Sequence, residues 1–155
     1  MGVGPSTKET TLHHFRDPLA ALLGSDDEFE LSGVIVAGIS ADYAGKSFTA
    51  ARIGAWISAM NLDGAVVSMD SWGNSHIDFS LLLEQLHRLR MPAVGLCFKE
   101  EHSDYILTSR FKGAVIDTSK ADSKRETEMV GENTVTPMDA RKALAMLKLT
   151  ARKQT

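Results

Sequence analysis

Asp70, Trp72, Gly73, Asn74 and Asp78 follow directly on the apolar run Ala65-Val66-Val67-Ser68. The run reads as a buried strand, Gly73-Asn74 as a polar loop, and Ile77, Leu81, Leu82 and Leu86 as one face of the helix that comes next. Carboxylate and amide side chains at the carboxyl end of a parallel strand, beside the amino terminus of a helix, occupy the place where open α/β sheets hold ligands. These five residues are therefore read as a substrate-binding site or an interface. Ser40 and Asp42, at the end of an earlier apolar run, are expected to share the same depression. If the edge is a subunit interface instead, Trp72 is its aromatic anchor.

Other groups with chemical potential have simpler accounts. Ser40-Ala41-Asp42-Tyr43-Ala44-Gly45-Lys46-Ser47 follows one apolar run and opens a helix, as a phosphate-binding loop would. Such a loop needs glycine where Ser40 stands, and its intervening residues are bulky, so a capped helix start explains it better than nucleotide binding. His13 and His14 are adjacent, hence point apart on either regular element, and no carboxylate-histidine set at helical spacing accompanies them. No metal site is expected. Cys97 lies inside Ala93-Val94-Gly95-Leu96-Cys97-Phe98 and reads as packed core. His76 and His87 read as surface residues of the second long helix, and Trp56 as a packing residue of the first.

The elements that must position these groups alternate regularly. Gly33–Gly38 is a first strand, followed by an amphipathic helix through Phe48, Ile53, Trp56 and Met60 that ends near Asn61. A second strand spans Ala65–Ser68 and a second helix about Ile77–Arg90. A third strand covers Ala93–Phe98, a short helical segment lies around His102–Thr108, and a fourth strand covers Gly113–Asp117. After a solvated stretch, Ser119–Asn133, Thr136-Pro137-Met138-Asp139 opens the last helix. Continuous apolar strands spaced by helices imply a parallel sheet covered on both faces. The expected class is α/β: a three-layer, Rossmann-like domain with a mainly parallel sheet of four strands or slightly more. Right-handed crossovers gather the loops Ile39–Lys46, Met69–His76, Lys99–Asp104 and Thr118 onward along one sheet edge. Residues 1–30 form an arm with a short helix at Asp17–Leu23, residues 31–150 one α/β domain, and residues 151–155 a tail.

The bulk properties exclude several classes. A 155-residue chain with 43% hydrophobic content can bury one core. Its 17 basic and 20 acidic side chains leave a net charge of −3, which recommends neither nucleic acid nor an anionic membrane surface. The longest apolar run is too short for a membrane span, and no secretory signal is evident. With a single cysteine no intrachain disulfide can form, which suits a cytoplasmic location.

Val67-Ser68-Met69-Asp70-Ser71-Trp72-Gly73-Asn74-Ser75-His76-Ile77-Asp78 resembles a segment of the proproteins of glycine, sarcosine and betaine reductase component B and of D-proline reductase. Ser68, Asp70, Gly73, Asn74 and Asp78 agree with that segment, Trp72 stands for its aromatic residue, and Met69, Ser71 and His76 depart from it. Upstream, Lys8-Glu9-Thr10-Thr11-Leu12-His13-His14 is similar to the Thr-Thr-Tyr-His-His run beyond the family's processing cysteine. Pro137-Met138-Asp139 resembles its closing segment.

The resemblance implies a component or paralogue of an amino-acid reductase that cleaves a C–N bond while a partner selenoprotein supplies the selenolate. It implies an amino-acid substrate, homologous subunits or further copies of the chain as partners, and His13 and His14 beside the reaction centre. In the family a pyruvoyl group arises at the cysteine, and its carbonyl forms a Schiff base with the substrate amine. That position falls at Ser6, preceded by Pro5 and a five-residue start, so the expectation is an unprocessed serine and no catalysis by the chain alone. A non-catalytic assembly or regulatory protein of the reductase is the alternative, and a nucleotide-binding α/β module the third reading.

Overall fold

A computed structural model describes residues 18–69, 74–98, 111, 113–120 and 134–153. The elements in chain order are α1 (Pro18–Leu23), α2 (Tyr43–Ala59), β1 (Ala65–Ser68), α3 (Asn74–Arg88), β2 (Ala93–Cys97), β3 (Ala114–Asp117) and α4 (Pro137–Arg152). The three strands are parallel in the order β1-β2-β3, with Ala65 opposite Ala93 and Val94 opposite Ala114. The chain is thus an α/β protein with a parallel sheet. The expected helix around His102–Thr108 and most of the stretch Ser119–Asn133 lie outside the described residues.

Because side chains alternate across a strand, the continuous apolar strands feed two separate cores. Ala65, Val67, Ala93, Cys97 and Val115 point to Ile53 and Ile57 of α2 and to Phe79, Leu83 and Leu86 of α3. Val66, Val94, Leu96, Ala114 and Ile116 point to Leu19 of α1 and to Ala140, Ala143 and Leu147 of α4. Gly95 allows the closest approach of helix to sheet: a Cβ there would stand 2.6 Å from Phe79 Cζ and 3.1 Å from Leu83 Cδ1.

The helix ends follow the sequence signals. Asp42 caps α2 by accepting from the Gly45 amide, and Asn61 turns the chain out of that helix at φ 52°. α4 starts at Thr136 with a capping box, its hydroxyl accepting from the Asp139 amide while the Asp139 carboxylate accepts from the Thr136 amide. Lys120 donates to the same carboxylate at 2.7 Å. Burial works to raise the Asp139 pKa, but the bonds from Lys120 and Thr136 outweigh it and hold the carboxyl below its ordinary 3.8. A depressed folded-state pKa contributes stability that is present above the unfolded value and is lost as pH falls through the folded one. Asp139→Asn is therefore expected to reduce the steepness of acid unfolding below about pH 4, the ordinary aspartate range, measured by circular dichroism. An unchanged acid limb would show that Asp139 does not set it.

Two expectations need correction. Gly33–Gly38 forms no strand: Val34, Ile35 and Val36 lie outside the ladder and are exposed, Val36 to 74%. The sheet therefore has three strands among the described residues, because that segment makes no ladder with them. Trp56 is 47% exposed, since it lies off the stripe Lys46, Ala50, Ile53, Ile57 that α2 buries, and the Arg52 guanidinium covers its ring at 4.9 Å. Cys97 is fully buried, as its apolar setting required.

Candidate functional site

α2 and α3 pack side by side over the first core, and their amino-terminal turns place a charged pair between them. Lys46 is the fourth residue of α2 and opens its buried stripe; only 2% of its side chain is exposed. Asp78 is the fifth residue of α3, 18% exposed, and its Oδ2 accepts from Lys46 Nζ. Asp78 Oδ1 is buried and has no hydrogen-bond partner among the described residues.

The pair lines a groove of about 720 Å³ to which α2, β1, α3 and the chain from Glu28 to Ile39 also contribute. Thr49, Ser68 and Ser75 add hydroxyls to its wall, and Ile53, Ile57 and Leu82 line its apolar floor. A buried carboxylate oxygen without a donor is costly, about 1–3 kcal/mol, unless a ligand or partner group satisfies it. Asp78 as a whole stays 18% exposed where it borders the groove. Lys46 supplies the compensating charge.

The structure divides the residues singled out from the sequence. Asp78 and its neighbour Ser75 face the groove, whereas Asn74, the first residue of α3, is exposed and is not in its wall. Ser40 and Asp42 bond to each other at 3.3 Å beside the α2 start, also outside the groove wall. The Asp42 carboxyl is held below its ordinary pKa, first of all by the Gly45 amide, so its work is helix capping. Asp70, Trp72 and Gly73 lie outside the described residues, as do Ser6, His13 and His14. His76 departs from the expectation of a surface residue: it is 2% exposed, with Nε2 3.1 Å from the Phe98 carbonyl oxygen, because the first turn of α3 faces β2. His87 is exposed, as expected.

Lys46 was not marked by the sequence motif, which drew attention to phosphate instead. The signal was its spacing: Lys46, Ala50, Ile53 and Ile57 recur at helical intervals on one face, so a lysine occupies a core position. A lysine on such a stripe requires a buried partner, and Asp78 is the carboxylate in reach. No group of three or more potential metal ligands occurs among the described residues. None of the described helices is long and apolar enough to cross a membrane.

The described residues thus define an α/β protein with a parallel sheet and an ion pair buried between two of its covering helices. The chain belongs to the family of glycine/sarcosine/betaine reductase component B subunits, whose model matches residues 2–104. Over 146 residues it is 33% identical to the D-proline reductase proprotein PrdA of Acetoanaerobium sticklandii, a match covering 94% of this chain and 23% of that proprotein. The chain thus spans less than a quarter of the length of that relative. No solved structure matches it.

Proposed function

We propose that the chain is a component or paralogue of a D-proline/glycine-type reductase that acts with homologous subunits, in a cytoplasmic complex, and is not catalytic alone. The observation that carries this reading is the match over 94% of the chain to a D-proline reductase proprotein. Asp78, the last residue of the family-like segment, supports it by lining the groove in an ion pair with Lys46. In this reading the groove and the rim beyond Ser68 help to position an amino-acid substrate or a partner subunit, and a selenoprotein supplies the selenolate. The sheet with helices against both faces is read as Rossmann-like, within one α/β domain at 31–150.

A non-catalytic assembly or regulatory role differs from a catalytic one at Ser6. A pyruvoyl subunit begins with a ketone in place of Ser6, because only an electrophilic carbonyl can form the iminium that activates a substrate carbon. We expect the purified protein to retain Ser6 as ordinary serine, to show no hydrazine-reactive carbonyl by intact mass, and to reduce neither D-proline nor glycine with a dithiol. A cleaved, carbonyl-bearing chain would overturn the non-catalytic assignment. Nucleotide binding is disfavoured by the placement of Lys46, whose ammonium is buried against Asp78 and is not offered to an external phosphate.

A further inference from the structure

The groove is long and its charge is one-sided. Its lining on α2 runs from Lys46 to Met60, a span of about 21 Å at 1.5 Å per helical residue. Its volume of about 720 Å³ is that of a site for a small organic ligand. Among the described residues, the charged side chains that line it are Glu28, Glu30, Lys46, Asp63 and Asp78. Lys46 and Asp78 neutralise each other, and Glu28 is held by Lys148 and Arg152. Glu30 and Asp63 have no ion pair among the described residues, so the charge left unbalanced there is wholly negative. We propose that the groove binds an amphipathic organic cation, its ammonium or guanidinium head beside Glu30 and Asp63 and its apolar body lying along α2 toward Lys46.

Leu147 of α4 brings the two carboxylates to one end. It packs against Gly64, where an added Cβ would stand 3.1 Å from Leu147 Cδ1, and Asp63 is the residue before. The next residue of α4, Lys148, donates to Glu28 at 2.9 Å, two positions ahead of Glu30. Glu30 and Asp63 therefore border the groove where β1 begins, whereas Lys46, Ser68 and Ser75 border it where β1 finishes. Ile53, Ile57, Phe79 and Leu82 lie between these polar ends. The order is head, apolar body, polar terminus.

Each feature excludes a different ligand. No three carboxylates of the described residues come together as a metal site, so an inorganic cation finds no ligand set. An anionic head meets Glu30 and Asp63, and the ammonium that could offset them is committed to Asp78. An uncharged head forgoes the attraction of both carboxylates. An apolar body removes the hydrocarbon of Ile53, Ile57 and Leu82 from water together with its own. Glycine and proline, which have no such body, gain least. Binding rests on the charge and shape of the groove; that a bound amine is turned over rests in addition on the reductase reading.

Isothermal titration calorimetry of the unmodified protein at neutral pH and low salt tests the assignment with phenylbutylamine, phenylbutanol and phenylbutyrate, which share a body and differ in the charge of the head. The amine is expected to bind at least about tenfold more tightly than either of the others. The double variant Glu30→Gln/Asp63→Asn should weaken the amine at least about fivefold and leave the alcohol unchanged. Both residues are exposed, and circular dichroism checks that the variant keeps its fold. No binding of the amine at millimolar concentration, equal affinity for amine and carboxylate, or an unaffected double variant would overturn the proposal. Tighter binding of the apolar basic peptide acetyl-Leu-Leu-Lys-Leu-amide than of the amine would mark the groove as a protein-docking site and refute the small-molecule assignment. None of these failures touches the reductase reading, which rests on the sequence match and is tested at Ser6.

Discussion

Lys46→Met is expected to destabilise the protein by about 3 kcal/mol, read from urea denaturation. Removing one member of a buried ion pair leaves the other charge without compensation, which costs about 3–5 kcal/mol at fully buried sites. The lower end applies here because Asp78 retains 18% exposure and borders the groove, where water can reach it. Methionine keeps the length and apolar stem of lysine, so the loss reports the charge and not a cavity. The double variant Lys46→Met/Asp78→Leu should recover most of the loss, since an apolar pair at such a site is often neutral or stabilising. If the double variant is no more stable than Lys46→Met, the two residues are not energetically coupled. The coupling also bears on function: stability recovered by the double variant, with loss of ligand or subunit binding, would mean that the pair is kept for recognition.

Leu86→Ala should cost about 4 kcal/mol, whereas Trp56→Ala should cost less than about 1 kcal/mol. Leu86 is fully buried between Ile53 and Ile57 of α2, its own helix neighbours and the sheet, so truncation leaves a cavity that closely packed elements cannot close. Trp56 is the larger side chain but loses little on truncation, because nearly half of it is in water and its main contact is the Arg52 cation. Equal losses at the two positions, measured in the same denaturant series, would place Trp56 in a packed interface. A solution dimer that buries it would be the first structure to seek, and sedimentation of the two variants would detect it.

The N-terminal stretch is tied to the last helix by charge. Lys148 donates to Asp26 at 2.8 Å and Glu28 at 2.9 Å, and Arg152 to Glu28 at 2.9 Å. The bonds to Lys148 hold the carboxyls of Asp26 and Glu28 below their ordinary values and raise the Lys148 ammonium above its own. The Arg152–Glu28 pair is exposed on both sides, and such pairs contribute little to stability. Their consequence is positional: they anchor the chain just before the segment that borders the groove.

Periodicity and capping in the sequence determined most of the local structure. The strands at Ala65, Ala93 and Ala114 and the long helices were legible, because continuous apolar runs and helical stripes admit few other interpretations. The cap at Asp42 and the box at Thr136-Pro137-Met138-Asp139 were legible for the same local reason. Family membership was legible too, since the Gly-Asn segment and the Thr-Thr-Leu-His-His run lie in the family's order. What tertiary structure alone decided is which side chains meet. Ser40, Asp42 and Asn74 stand outside the groove, whereas Lys46 and Asp78 are 32 residues apart and join where α2 packs against α3. Val34–Val36 has the composition of a strand, yet a strand exists only when a neighbour completes its hydrogen bonds. Among the described residues no ladder includes Val34–Val36, and no local pattern records which edge is available.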